Sequence, residues 1–76
     1  MEGKLKKEYE EILEEMDEIL TILKRKPQLT TMLRSCIKQR NYVQGIIHGC
    51  NGTEKDLKKL RDRCQYMRLV IQKVTK

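Results

Sequence analysis

Apolar side chains recur in steps of three and four along nearly the whole chain, in three registers separated by a proline and a glycine-containing turn. In the first register Leu5, Tyr9, Ile12, Met16, Ile19 and Leu23 form one stripe, widened by Leu13 and Leu20. In the second, Leu29, Leu33, Cys36, Val43, Ile47 and Cys50 repeat the spacing, with Met32, Ile37 and Ile46 alongside. In the third, Leu57, Leu60, Cys64, Met67, Ile71 and Val74 step without a miss. A helical period gathers such residues on one face, whereas a strand needs alternation by two, which nowhere survives more than a few residues. The pattern therefore predicts three amphipathic helices, over residues 4–26, 28–49 and 54–75.

The punctuation agrees with that division. Pro27 ends the first helix, and Lys24, Arg25 and Lys26 complement its C-terminal dipole. A proline also suits the first turn of the next helix, where its missing N–H is no loss. Gly45 and Gly49 lie one turn apart on the outward face of the second helix, near Ser35 and Tyr42. They suggest fraying after Gln44 with Gly49 as C-cap, or else a small-residue groove that admits another backbone. Thr53 followed by Asp56 marks a capping-box-like start for the third helix.

Short connections make sequential helices antiparallel. The expected fold class is all-α: a single domain, residues 1–76, forming an up-down-up antiparallel three-helix bundle with coiled-coil-like heptad seams. A longer helical hairpin that dimerises is the competing architecture, but the stripes are wider than a two-position seam. A chain of this length buries only roughly 60–65% of its unfolded surface, so the core is thin. It contains no Phe and no Trp.

Charge is divided unevenly. Residues 1–20 carry eight acids against three lysines, a net of −5, and residues 21–76 carry fourteen Lys or Arg against three acids, a net of +11. The first helix is a poor helix alone, because Glu10–Glu14, Glu11–Glu15 and Glu14–Glu18 are like-charge pairs four residues apart. Lys4, Lys6 and Lys7 also sit at the wrong end of its dipole. It should form by packing on the two basic helices.

Arg40 falls inside the apolar stripe of the second helix, between Cys36, Val43 and Ile47. A cation there is expected to pair with an acid, Glu10, Glu14 or Asp62, and set register, or to sit in a groove and take a partner's carboxylate or phosphate. Cys36, Cys50 and Cys64 are expected as buried, reduced thiols, because all three lie on core stripes. With His48 they fit no zinc spacing. Asn51 opens an "NGT" sequon, which occurs by chance in an intracellular protein.

No apolar run approaches the ~18 residues that span a bilayer, and "MEGKLKKEYEE" lacks the apolar core of a signal peptide. The expectation is a cytoplasmic or nuclear protein with no membrane association. Catalysis has little to stand on, with one His, one Ser and no glycine-rich phosphate loop. No enzyme activity, cofactor, metal or small-molecule substrate is expected. The expected function is a non-enzymatic protein–protein interaction module, whether adaptor, inhibitor or small subunit. Its partner is another protein or a second copy. The candidate binding residues are Tyr66, Leu69 and Val70, with Arg63 and Lys73 as a basic rim, and Arg40. The alternative is a nucleic-acid-binding protein using Lys55, Lys58, Lys59, Arg61 and Arg63 of the third helix. Arg68 and Lys73 would extend that face, with Arg34 and Lys38 of the second helix beside it. Against it, no recognition signature or aromatic stacking series accompanies those cations.

Overall fold

The computed structural model describes residues 3–75. It contains α1 (Gly3–Leu23), a 3-10 turn (Pro27–Leu29), α2 (Thr30–Gly49) and α3 (Glu54–Thr75), and no strand among the described residues. The protein is an all-α bundle of three helices, as the stripes predict. It is elongated, with extents of 40 × 17 × 15 Å.

α1 ends three residues before the predicted Lys26. Lys26 precedes a proline, whose ring excludes helical geometry from the residue before it, and it sits at φ −124, ψ 87. The chain leaves the helix through tight bonds, the Arg25 N–H to the Ile22 carbonyl and the Lys26 N–H to the Leu23 carbonyl. Pro27 opens the 3-10 turn rather than α2, and the Thr30 hydroxyl donates to its carbonyl at 2.7 Å. The basic run thus lies just beyond α1.

The end of α2 departs from expectation. α2 continues through Gly45 to Gly49, and the left-handed residue that stops it is Cys50, at φ 53. Its N–H reaches the Ile46 and Ile47 carbonyls, and the Asn51 N–H reaches Ile46 as well. That six-to-one bond with a left-handed residue is the Schellman arrangement, here built on a cysteine where glycine is usual. Neither helical glycine has a positive φ.

α3 begins as the capping motif implies, with the Asp56 N–H donating to the Thr53 hydroxyl at 3.2 Å. The other half of a capping box, an acid returning to the N-cap N–H, is replaced by a long-range brace. The Tyr9 hydroxyl donates to the Thr53 carbonyl at 2.6 Å and accepts from the Thr53 N–H at 3.0 Å. A single phenol on α1 therefore fixes the backbone where α3 starts.

α1 is the hub. It buries Tyr9, Ile12, Met16, Ile19, Leu20 and Leu23. α2 buries Cys36, Val43 and Ile46, and α3 buries Leu57, Leu60, Cys64, Met67 and Ile71. α2 and α3 each pack along α1, but their backbones scarcely approach one another. Three positions on the predicted stripes lie outside the core: Ile37, Cys50 and Val74 are exposed. Ile37 was only a flanking position, Cys50 belongs to the terminating turn, and Val74 is next to the end of α3.

Candidate functional site

The separation of α2 from α3 leaves a groove on the face opposite α1. Two cavities lie along it, of about 350 Å³ and about 310 Å³, and both are walled by α2 on one side and α3 on the other. Gln39 of α2 and Arg63 of α3 line both cavities and form the waist between them. The first cavity is bounded by Tyr42, Leu60, Lys38 and Lys59, with Asp56 at its end. The second is more apolar, bounded by Met32, Met67, Tyr66 and Ser35.

Helical spacing explains the arrangement. Asp56, Lys59, Arg63, Tyr66 and Val70 follow one another by threes and fours, a second stripe on α3 beside its core stripe. Tyr66 is the most exposed large apolar residue described, at 63%, followed by Tyr42 at 54% and Leu69 at 52%. Val70 is half-buried and Lys73 exposed. Of the partner-binding candidates on α3, Arg63 and Tyr66 line the groove, and Val70 continues their stripe. Leu69 lies a turn of the wheel away, on the outer face.

Arg40 does not belong to this surface. Its guanidinium donates to Asp17 of α1 and, at 3.1 Å, to the Gln44 side chain. The expected partners Glu10, Glu14 and Asp62 are not used. A long helical side chain leans toward the N-terminus of its own helix. In antiparallel α2 that direction leads toward the C-terminal half of α1, so the head meets Asp17. With 30% of the side chain exposed against 49% for Asp17, the pair is semi-open rather than buried.

The basic residues of α3 separate into two sets. Arg61 pairs with Glu8 at 3.8 Å, and Arg68 pairs with Glu15 at 2.8 Å and Glu18 at 3.3 Å. These cations answer the acidity of α1, as the charge division suggested. Lys38, Lys59 and Arg63 enter no ion pair among the described residues and stand around the groove. Arg34, Lys55 and Lys58 are exposed, and they line neither cavity. The nucleic-acid candidates are therefore spread around α3 and along α2 instead of forming one continuous stripe.

The thiols follow burial. Desolvation pushes Cys36 up to about 11, with Asp17 adding to the effect, and pushes Cys64 up to about 12, with Glu15 next in importance. Cys50 is exposed, which corrects the expectation of three buried thiols; its place in the helix-ending turn turns it out of the stripe. Burial raises the Tyr9 phenol above its ordinary value, partly offset by its bond from the Thr53 backbone. Among the described residues no group of three or more His, Cys, Asp or Glu side chains is placed to hold a metal ion. None of the described helices is long and apolar enough to cross a membrane.

The groove was only partly visible in the sequence. Tyr66 and Arg63 could be found as off-stripe residues, but Met32 and Met67 read as core and Gln39 gave no signal. What defines the class is a three-helix bundle whose two outer helices leave an apolar, basic-rimmed cleft. No protein-family model, curated protein or solved structure matches the chain.

Proposed function

We propose that the protein is a non-enzymatic helical interaction module, an adaptor, inhibitor or small subunit, that binds another protein through the exposed side of α3. The observation that carries this reading is the Tyr66–Leu69 pair, large apolar side chains 63% and 52% exposed and one helical turn apart on α3. Arg63 and Lys73 supply a charged margin around that pair, and an apolar centre with a polar margin is the composition of a protein-binding patch. Arg40, engaged with Asp17, serves register instead of recognition. Three free thiols, one of them exposed, suit a reducing compartment, the cytoplasm or nucleus.

A photo-crosslinking residue at Leu69, used in extract from the source cells, tests this. Discrete protein adducts that survive nuclease treatment are expected, and they should disappear when Tyr66 is changed to Ser. Nucleic-acid binding should be weak and indifferent to sequence. Tight, sequence-preferring binding to DNA or RNA at physiological salt would overturn the reading. Such binding would rest on phosphate contacts, and about six of them would lose on the order of a thousandfold in affinity between about 50 and 200 mM salt.

A further inference from the structure

The geometry points to a specific occupant for the α2–α3 groove: an acidic amphipathic helix from a partner protein, lying along the groove as a fourth helix. The inference rests on the interaction-module reading and adds the chemistry and seat of the partner.

Three observations converge on that occupant. The cavities are set in line along the helices. One is lined by α2 residues 38–42 and the other by α2 residues 31–39. By their lining residues their centres are separated by roughly one and a half helical turns, about 8–9 Å at 1.5 Å per residue. Apolar side chains at positions i, i+3 or i+4, and i+7 of a helix bracket that separation, so one face of a single helix reaches both. The floor contributed by Met32, Leu60 and Met67 suits aliphatic anchors, and methionines adapt readily to varied shapes.

Charge sets the sign of the partner's flanks. Among the described residues Lys38, Lys59 and Arg63 face the groove without ion-pair partners, against the single acid Asp56. The molecule already contains the matching solution on its other side. There α1, an acidic amphipathic helix, lays its apolar stripe on α2 and α3 and offers Asp17, Glu8 and Glu15 to Arg40, Arg61 and Arg68. A helix of the same character in the groove would complete a four-helix arrangement.

The waist supplies the third observation. The Gln39 amide donates to the Ser35 hydroxyl at 3.1 Å, but its Oε1 is buried without a hydrogen-bond partner. An unmade bond of this kind is costly, and rotation of the Gln39 amide would turn Oε1 toward a donor on the incoming helix, such as Gln, Asn or Ser between the two anchors.

The same charges disfavour the other occupants. Two copies pairing groove to groove would set three cations against three. A nucleic-acid backbone would meet the cations and leave the apolar floor unfilled.

The test uses the full chain and a designed, end-blocked helical peptide of about 18 residues, roughly 27 Å. Leu occupies its i, i+3, i+7 and i+10 positions, Gln lies between the anchors, and Glu stands on both flanks. A matched peptide carries Lys in place of Glu. Binding is read by fluorescence anisotropy and by methyl NMR of the methionines. The acidic peptide should bind with a Kd in the micromolar range and shift the Met32 and Met67 methyl signals, leaving Met16 in place. Lys59→Glu with Arg63→Glu should weaken it by about tenfold or more, with the helical spectrum unchanged. Tyr66→Ser, which alters no charge, should weaken it as well.

Equal binding of the Lys peptide, or a shift confined to Met16, would overturn the proposal. So would displacement of the acidic peptide by a DNA duplex, or a free chain whose groove is occupied by its own dimer. If the acidic peptide fails to bind but Leu69 still crosslinks to a protein, the groove assignment falls and the interaction-module reading stands.

Discussion

Tyr9 shows how much one side chain can fix in a domain with so few aromatics. Its ring is fully buried in the core, and its hydroxyl closes both backbone groups of Thr53. Tyr9→Phe keeps the packing and strands the Thr53 N–H, so urea denaturation should report a loss of about 1–2 kcal/mol. Arg40→Ala should cost less, about 0.5–1 kcal/mol, because a semi-open ion pair contributes little and its aliphatic stem supplies some packing. Cys50 carries the opposite sign. A left-handed non-glycine residue is strained by roughly 1–2 kcal/mol, while glycine loses about 0.5–1 kcal/mol more backbone entropy on folding. Cys50→Gly should therefore stabilise the fold by about 0.5–1 kcal/mol, and in the parent protein Cys50 should label far faster than Cys36 or Cys64. Equal labelling of all three would contradict the core described for α2 and α3.

At the scale of elements, α2 is the least regular of the three. It has no side-chain N-cap and contains Gly45, around which a methyl group would meet nothing within 4 Å. Gly45→Ala should accordingly raise stability by about 1 kcal/mol, read from the denaturation midpoint. The helices themselves were legible in the sequence because their stripes are long and their breaks carry Pro27, Gly49 and Thr53. Less legible was where each break falls. The proline's effect on Lys26 shortened α1, and the turn that ends α2 places its left-handed residue at Cys50, one position after the glycine that signals it. The direction of the Arg40 side chain decided its partner, which a matching of levels between helices does not capture. The groove was the least legible feature, since it depends on α2 and α3 both preferring α1 to each other. Composition gives no sign of that preference.

For the whole molecule, burial of three ionisable groups makes stability depend on alkaline pH. Cys36 and Cys64 rise from 9.0 to about 11 and about 12 on folding, and Tyr9 rises above its ordinary 10.0. The folded state holds these protons more tightly than the unfolded chain, so stability is intact below pH ~9 and falls as pH rises from there through the folded values. Denaturation midpoints at pH 7, 9 and 10.5 should decline only over the upper interval, and replacing both buried cysteines by Ala should flatten that decline while lowering the midpoint at pH 7.

The organisation that positions the groove is α1 as hub, with α2 and α3 docked on it and held apart. Intrinsic propensity and tertiary packing make opposite demands on α1. Its like-charge glutamate pairs and N-terminal lysines mark it as the helix that should open first. Its six buried residues and its ion pairs to both neighbours mark it as the one that opens last. Residue-resolved amide hydrogen exchange under native conditions decides between them. The amides of Tyr9 through Leu23 should be the slowest in the chain, exchanging only with global unfolding, while those of α2 beyond Gln44 exchange faster through local opening. An α1 that exchanges faster than α2 and α3 would contradict the hub, and with it the open groove that depends on it.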